Sequence, residues 1–422
     1  MRIGRTMIFC FFLAAFWVGG WIFVRLSLSS DPVYYPEPRR SYWEYQVIDT
    51  MKYSRDRARE GVRDPDFDRV IESQVKNIAE TGATHIALAT PYDEEFIPFL
   101  TRWVKAARAH GLRIWFRGNF SGWEGWFGYQ AIGEQEHIEK VRDFILRHPE
   151  LFRNGDLFTS CPECENGGPG DPRKTGDVEG FRRFLLESHR SADEAFRSIG
   201  VLVDTRLASM NGDVAQLVMD QKTSAALGNV ITVDHYVKTP MKLEQDVRTF
   251  GKDGTRKVFL GEFGAPIPDI HGNMTAQEQA TWLDQSLLQL SKVPNLIGVN
   301  YWLSVGGSTE LWTDMGVPKP AVSVLKKYFR PNLIHGFVTD ELGRAVRQAT
   351  VSVGKRATKT DSHGHFELRF LEEAGETVSV TAPSFKLKVF ALPKNDEISI
   401  MLEPEYRSMP YLILQFLKET FD

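Results

Sequence analysis

Cysteine is scarce in this chain, and its scarcity excludes a fold held together by a disulfide framework. Only three cysteines occur among 422 residues, Cys10, Cys161 and Cys164. The net charge is -4 and no long basic run follows the N-terminus, so nucleic acid is not a predicted partner. No glycine-rich phosphate turn follows an early strand, which argues against a dinucleotide-binding open sheet.

The composition that is present is that of a globular protein. Hydrophobic residues make up 42% of the chain and charged residues 25%. The length allows two or three domains, or one large barrel with an appendage. Ten tryptophans are present, and indole faces can stack on sugar rings as well as fill a core.

A single long apolar run lies at the N-terminus. Residues 7–24 are eighteen uncharged, mostly apolar residues, preceded by a short basic start. This length predicts a transmembrane signal anchor over 1–30 with its N-terminus in the cytoplasm. A cleaved signal peptide is the alternative, although residues 26–30 make a poor cleavage site. The expected localisation is therefore a single-pass membrane anchor with an extracytoplasmic catalytic domain, or secretion if the segment is cleaved. Residues 31–44 are a predicted proline-containing linker.

From residue 45 onward, strand and helix patterns alternate. Strands are predicted at 44–49, 84–89, 112–117, 156–161, 201–208, 229–234, 257–260 and 296–302. Helices are predicted at 66–81, 95–110, 135–147, 178–199, 214–227, 242–250, 276–291 and 320–329. Eight such units predict an α/β fold, a (β/α)8 TIM barrel over 45–330, with a doubly wound open sheet as the alternative.

In such a barrel the carboxyl ends of the strands carry the chemistry. The polar and aromatic residues at the predicted strand ends are Arg117, Asn119, Glu163, Glu165, Asn211, His235, Tyr236, Glu262, Tyr301 and Trp302. Glu262 follows a short apolar strand and lies in the motif Gly-Glu-Phe-Gly. Burying a carboxylate is costly unless it faces a cavity, which makes Glu262 the first catalytic candidate.

Carboxylates on strands four and seven predict the cleavage of a sugar bond. One acid donates a proton to the leaving oxygen, and the other attacks the anomeric carbon or activates a water. Strands four and seven face each other across a barrel mouth, and Arg117 could keep the nucleophile ionised. Such a mechanism requires neither a cofactor nor a metal.

These residues resemble those of the clan of retaining (β/α)8 glycoside hydrolases that includes the cellulases and mannanases of family five. In that clan the acid/base ends strand four and the nucleophile ends strand seven, which the resemblance places at Glu262. Trp302 matches the clan's strand-eight tryptophan, and the Asp-His-Tyr run at His235 and Tyr236 matches its strand-six motif loosely. Trp123 and Trp126 lie in a glycine-punctuated loop and are predicted to form an exposed sugar-stacking platform.

Strand four departs from the clan, which has Asn-Glu where this chain has Cys-Pro-Glu-Cys-Glu-Asn. Glu163 and Glu165 share one strand parity, so both could face inward. Glu163 is ranked first as the acid/base because it lies nearer the expected strand end. Asn166 or Asn211 could replace the missing asparagine in a contact with the substrate.

The pair Cys161 and Cys164 admits other interpretations. Cys-x-x-Cys can be redox-active or half of a zinc site. A redox pair should open a helix, and no second cysteine pair completes a zinc site, so no metal is predicted. A local disulfide or two free apolar side chains remain as the favoured alternatives.

The pattern changes near residue 331 to short strands, which predicts a small all-β sandwich over 331–404. Its Gly-Phe-Val-x-Asp, Ala-x-Val-x-Val and Thr-Asp-x-x-Gly-x-Phe motifs resemble the carboxypeptidase regulatory-like, transthyretin-like module. That resemblance implies a spacer or binding role. Residues 405–422 predict an amphipathic helix that docks on a domain, a partner or a membrane surface, with a domain preferred.

The predicted function is a glycosidase acting on a carbohydrate. The alternative is a non-catalytic glycan-binding barrel, and a third hypothesis is a thiol or metal enzyme at the cysteine pair. The sequence does not define the sugar, the linkage, endo or exo action, or the oligomeric state.

Overall fold

The computed structural model describes residues 41–354, 356–371 and 377–421. The predicted anchor (1–30) and most of the predicted linker lie outside these ranges. Within them, no helix combines the length and the apolar character needed to cross a membrane.

Eight parallel strands form the sheet at the centre of the barrel. The strands are β1 Tyr45–Asp49, β2 His85–Leu88, β3 Arg113–Phe116, β4 Leu157–Phe158, β5 Ser209–Asn211, β6 Val230–Asp234, β7 Lys257–Phe263 and β8 Leu296–Tyr301. Their order is β4-β3-β2-β1-β8-β7-β6-β5, so the first strand pairs with the last. Leu157 also bridges in parallel to Asp204, just before β5. This closure confirms the TIM-barrel prediction over the open-sheet alternative.

Helices follow the strands, and the longer ones cover the outside of the barrel. They are Met51–Ser54, Ala58–Arg63, Phe67–Ala79, Ile97–Ala109, Ser121–Glu124, Glu134–Arg147, Pro172–Thr175, Val178–Ser198, Gly212–Val218, Gln221–Ala226, Pro240–Phe250, Ala276–Leu290 and Pro320–Phe329. Short 3-10 turns lie at Glu94–Phe96, Trp126–Gly128, Pro149–Leu151 and Lys252–Gly254.

Three predicted elements differ from the structure, two of them because aspartate side chains accept hydrogen bonds from nearby backbone N–H groups. The helix predicted over 214–227 is divided because the Asp220 side chain caps a new helix at Thr223 N, 2.7 Å away. The strand predicted over 201–208 starts only at Ser209, since Asp204 Oδ1 accepts Arg206 N at 3.1 Å in a local turn. The strand predicted over 156–161 is only Leu157–Phe158.

The interior of the barrel below the site is filled with apolar side chains. This layer consists of Tyr45, Val47, Ala87, Trp115, Leu157, Leu207, Val230 and Phe259. A filled layer is the usual floor of a small parallel barrel, so the open space lies at the carboxyl ends of the strands.

A β-bulge in β7 determines where Glu262 points. Val233 and Asp234 of β6 pair with Leu260 and Glu262 of β7, so Gly261 is an extra residue. Phe259 faces the barrel interior, and strict alternation would send Glu262 outward. The bulge reverses that alternation, as bulges near active sites often do.

Substitution of Gly261 with alanine is expected to disturb this bulge. A Cβ there would clash with Asp234 Oδ1 and lie 3.0 Å from Thr232 Cγ2 and 3.2 Å from Ser209 Cβ. We expect the free energy of unfolding to fall by about 1–3 kcal/mol, measured by urea unfolding. Gly111→Ala is the control at an exposed position. A Cβ there would have no neighbour within 4 Å, so any loss of stability would come from its φ of 73°, which favours glycine. A Gly261→Ala variant with wild-type stability and activity would contradict this view of the bulge.

Residues after the barrel form a small sandwich of two sheets. The strands are β9 Asn332–Asp340, β10 Thr350–Val353, β11 Arg356–Lys359, β12 His365–Phe370, β13 Thr377–Thr381, β14 Lys388–Ala391 and β15 Glu397–Leu402. One sheet has the order β11-β10-β13-β14 and the other β12-β9-β15. Val338, Val351, Phe366 and Val380 belong to its separate apolar core. The prediction of a small all-β domain is confirmed.

The terminal helix, Met409–Phe421, does not dock as predicted. Tyr411 is 9% exposed and donates its hydroxyl to Glu341 Oε2 at 3.2 Å. The apolar residues expected to dock remain exposed: Met409, Leu412, Ile413, Leu414, Phe416 and Leu417. The preferred expectation that these side chains dock on a domain was therefore wrong, and docking on a partner or on a membrane surface stays a prediction.

Candidate active site

Glu262 lies at the mouth of the barrel and is 5% exposed. Its Oε1 accepts a hydrogen bond from Arg117 Nη1 at 2.7 Å, and its Oε2 accepts one from the Tyr236 hydroxyl at 2.8 Å. Two donors to one buried carboxylate orient it and favour its charged form. The structure thus brings together Arg117, Tyr236 and Glu262, which the sequence predicted at strand ends.

Arg117 follows β3 and contacts residues of four other strands beneath the cleft. Besides Glu262, it donates to Asp49 Oδ2 at 2.8 Å, to Asp234 Oδ2 at 3.0 Å and to Ser209 Oγ at 3.3 Å. The guanidinium is fully buried, so these pairs are not screened by water. One cation faces three carboxyl groups, and removing it would leave buried charges unpaired.

The pKa values of two of these buried carboxyl groups are raised. Burial raises the pKa of Asp234 well above its ordinary value and raises that of Glu262 to about 7. Arg117 opposes both shifts, and it acts together with Tyr236 on Glu262. Of these two groups, we therefore assign the earlier ionisation to Glu262, because two donors stabilise its charge.

Sequence reasoning missed Asp49 and Asp234 as members of the site. Both are the last residues of their strands, β1 and β6, so the strand-end rule that found Glu262 would have found them. Asn300 in β8 also contributes, donating to Gly261 O at 2.7 Å and holding the bulge.

Glu163 and Glu165 do not lie on a strand, and the parity argument for them was wrong. β4 ends at Phe158, and the segment that follows is irregular. Glu163 adopts a left-handed conformation with φ of 46°, which is uncommon for a non-glycine residue. It is partly exposed, and one carboxylate oxygen from each of Glu163, Asp234 and Glu262 lies within 4.8 Å of the other two.

Glu165 is held away from this cluster. It is 1% exposed, and its Oε1 accepts from Asn211 N at 2.6 Å and from Asn211 Nδ2 at 3.0 Å. Burial raises the pKa of both strand-four glutamates. Only Glu163 belongs to the carboxylate group with Glu262.

The remaining predicted polar residues surround the turn that carries Glu163. Asn166 Nδ2 donates to Glu163 Oε1 at 3.1 Å, and Asn166 Oδ1 accepts from Asn211 Nδ2 at 3.2 Å. Asn119 Nδ2 donates to Pro162 O at 3.1 Å and to Glu124 Oε1 at 2.7 Å.

Glu124, which the sequence analysis overlooked, is a further carboxyl group of the cleft. Burial raises its pKa to about 7. Its backbone lies beside Gly167 in the segment after Glu165. No strand-end or motif signal pointed to it, because it lies on the short helix Ser121–Glu124.

Cys161 and Cys164 form a disulfide across a Cα separation of 5.4 Å. This matches the local-disulfide alternative and engages the sulfurs that the thiol or metal hypothesis needs. A ring nitrogen of His137 lies within 4.8 Å of both sulfurs. Burial lowers the pKa of His137 to about 4, so this imidazole is neutral at physiological pH.

Two predicted aromatic contacts were wrong because the side chains belong to the core. Trp123 is 2% exposed and stacks on Phe184 with ring centroids 5.1 Å apart, so it cannot form an exposed platform. Tyr301 is fully buried and donates its hydroxyl to Thr309 O at 2.7 Å. Trp126 is half-buried, and the Arg55 guanidinium covers its ring at 4.3 Å.

The other two strand-end aromatic residues differ in their surroundings. Trp302 is partly exposed, and its ring lies 5.9 Å from that of Tyr236, beside Glu262. His235 contacts Asp246 Oδ2 through Nε2 at 2.9 Å and packs on Phe250. His235 is thus satisfied by structural partners behind the cleft.

Comparison with known proteins gives separate results for the two parts of the chain. Residues 333–400 match the model of the carboxypeptidase regulatory-like domain. They are such a domain. The family match leaves the barrel unassigned, and no curated protein matches the chain.

The barrel is similar in fold to solved GH5_18 structures. GH5_18 from Streptomyces cattleya, in complex with GlcNAc, has a TM-score of 0.51 at 17% identity, covering 70% of this chain and 83% of that one. A variant from Bifidobacterium longum subsp. longum, in complex with Manβ1-4GlcNAc, has a TM-score of 0.51 at 17% identity, covering 71% and 83%. GH5_18 from Bifidobacterium longum subsp. infantis has a TM-score of 0.50 at 15% identity, covering 72% and 87%. At these identities the likeness establishes the fold, and residue roles must be argued from the site.

Proposed function

We propose that the chain is a retaining glycoside hydrolase that cleaves O-glycosidic bonds of an oligo- or polysaccharide. The observation that supports this most is the approach of Glu163 to Glu262, with carboxylate oxygens within 4.8 Å. Retaining enzymes hold their two carboxyl groups roughly 5–5.5 Å apart, while inverting enzymes leave about 6.5–9.5 Å for a water. The separation therefore favours direct attack by one carboxylate.

Glu262 is the nucleophile in this proposal. Its Oε1 and Oε2 are oriented by Arg117 and Tyr236, so the group meets the anomeric carbon as a carboxylate in a fixed direction. Attack forms a covalent glycosyl-enzyme bond as the bond from the anomeric carbon to the leaving oxygen breaks.

Glu163 is the acid/base in this proposal. Arg117 donates to Asp49, Asp234 and Glu262 and not to Glu163. Burial raises the pKa of Glu163, which favours the protonated form that gives its proton to the leaving oxygen. As a carboxylate it then takes a proton from water, whose oxygen attacks the anomeric carbon and releases Glu262.

The substrate choice for a first test follows from the solved structures. Neighbours of the same fold carry GlcNAc and Manβ1-4GlcNAc, so β-mannosides and β-N-acetylglucosaminides should lead the panel. The test is release of sugar by the full-length chain, purified in detergent, from aryl glycosides and β-linked oligosaccharides. Release with retained anomeric configuration supports the proposal. Binding of a glycan without cleavage would favour the glycan-binding alternative instead.

We also propose that residues 7–24 anchor the enzyme in a membrane with the barrel outside the cytoplasm. The support is the eighteen-residue uncharged run after a basic start. Fractionation should place the chain in the membrane, and external protease should degrade the barrel in intact cells. Recovery of the chain in the soluble cytosolic fraction would contradict the anchor.

The pH dependence follows from the raised pKa values of the two carboxyl groups. Glu262, with a pKa of about 7, must be ionised to attack, so kcat/KM should fall as the pH drops through that value. Glu163 must be protonated, so kcat/KM should fall again at higher pH as it loses its proton. The expected profile is a bell with a near-neutral or higher optimum, measured on a soluble aryl glycoside. Because the two carboxyl groups interact, the apparent pKa values of the acid and alkaline limbs belong to the pair and not to either residue alone. An optimum near the ordinary glutamate pKa of about 4.3 would contradict this assignment.

A further inference from the structure

The turn that presents Glu163 is closed by a covalent bond. Cys161 and Cys164 enclose only Pro162 and Glu163 between them, and both cysteines are 1% exposed. The proposed acid/base, Glu163, therefore lies within the short loop that this disulfide closes. Its location makes the disulfide part of the architecture of the cleft.

Glu163 needs such support because it is not carried by a strand. It lies five positions beyond Phe158, the last residue of β4, and its φ is 46°. A left-handed conformation is unfavourable for a non-glycine residue and persists only when its surroundings hold it. Catalytic groups on loops are also less well fixed than groups on strands.

Backbone contacts hold the same turn on both sides. Glu163 N donates to Ser209 O at 2.9 Å, and Asn166 N donates to Glu163 O at 2.7 Å. Asn119 Nδ2 donates to Pro162 O at 3.1 Å. These bonds place the turn against β5 and the end of β3, while the disulfide limits its internal conformations.

A buried aromatic wall lies beneath the segment. Gly168 approaches the Trp123 indole so closely that a Cβ could not fit, and Trp123 in turn contacts His137 at 4.7 Å between ring centroids. His137 Nε2 lies 3.0 Å from Ser160 O, one residue before the disulfide. These contacts support the loop independently of the disulfide, so loss of the disulfide relaxes chiefly the turn 161–164 that carries Glu163.

We propose that the Cys161–Cys164 disulfide is a positioning element that fixes Glu163 for proton donation to the leaving group. This inference rests on the proposed glycosidase function. The disulfide performs no chemical step itself. Its loss should weaken acid catalysis while Glu262, held by Arg117 and Tyr236 on other strands, keeps its role as nucleophile.

The test compares leaving groups in the Cys161→Ala/Cys164→Ala double variant. Glycosides with poor leaving groups need a proton on the leaving oxygen, whereas dinitrophenolate departs from dinitrophenyl glycosides without one. Full-length wild type, the double variant and Cys10→Ala as the matched cysteine control would be assayed on both classes. We expect kcat/KM on poor leaving groups to fall about 10²-fold, as for a misplaced catalytic group, with kcat/KM on dinitrophenyl glycosides nearly unaffected. The high-pH limb of kcat/KM should also flatten.

The outcomes separate this inference from the function on which it rests. If wild type releases no sugar, the proposed function is wrong and the inference falls with it. If wild type is active but kcat/KM of the double variant falls equally on both classes, or on neither, the disulfide does not position Glu163. Should the double variant fail to fold, reduction of the native protein with a phosphine, with thiols counted by alkylation and mass spectrometry, gives the same comparison.

Discussion

Replacement of Glu262 with glutamine is expected to lower kcat/KM by at least about 10⁴-fold, the scale seen when a covalent nucleophile is removed. The amide has the same shape and can still accept from the Tyr236 hydroxyl, which now lies 2.8 Å from Oε2. It cannot attack an anomeric carbon. The measurement is steady-state hydrolysis of an aryl glycoside, with thermal unfolding to verify the fold.

Glu278→Gln is the matched control for this substitution. Glu278 closes a capping box with Thr275 at the start of the helix Ala276–Leu290, where glutamine serves equally well.

A Glu262→Ala variant supplied with azide should form a glycosyl azide of inverted configuration, because the small anion replaces the missing carboxylate. Wild-type activity of Glu262→Gln would show that the chemistry lies elsewhere.

Glutamine at position 163 is expected to cost about 10²–10⁴-fold on substrates with poor leaving groups, the usual contribution of a general acid. Dinitrophenyl glycosides should show a much smaller loss of glycosylation, because their leaving group needs no proton. The intermediate should then accumulate, since Glu163 must also activate the water. A pre-steady-state burst of dinitrophenol measures this.

Glu165→Gln is the matched control for Glu163→Gln. Glu165 accepts from Asn211 through Oε1 and does not belong to the carboxylate group of Glu262, so its loss should not depend on the leaving group. If Glu165→Gln shows the leaving-group pattern and Glu163→Gln does not, the acid/base is Glu165. The structure in solution would then differ in this turn.

Much of the fold could be predicted because its signals are local. Apolar alternation and helix stop signals predicted the (β/α)8 barrel, and the helix predicted at 320–329 begins and ends at the same residues in the structure. Two of the elements that failed lie where an aspartate side chain competes with the backbone, at Asp204 and Asp220. Hydrophobic periodicity does not report such competition.

The candidate site could be predicted only in part. The strand-end rule found Arg117, Tyr236 and Glu262, which the structure joins by hydrogen bonds. Trp123 and Tyr301 were predicted at the cleft, but both are buried. The sequence alone does not show whether an aromatic side chain packs into the core or faces the cleft.

The sequence by itself determined the alternation of strands and helices, the small all-β domain and two carboxylates of the cleft, Glu163 and Glu262. Only the tertiary structure decided how those carboxylates are aimed. Gly261 adds a residue to β7 and turns Glu262 inward, and the disulfide-closed turn separates Glu163 from Glu165. Both depend on pairing with distant strands, Asp234 of β6 in one case and Ser209 of β5 in the other. A local pattern cannot encode contacts between residues so far apart in the chain, and those contacts orient the side chains.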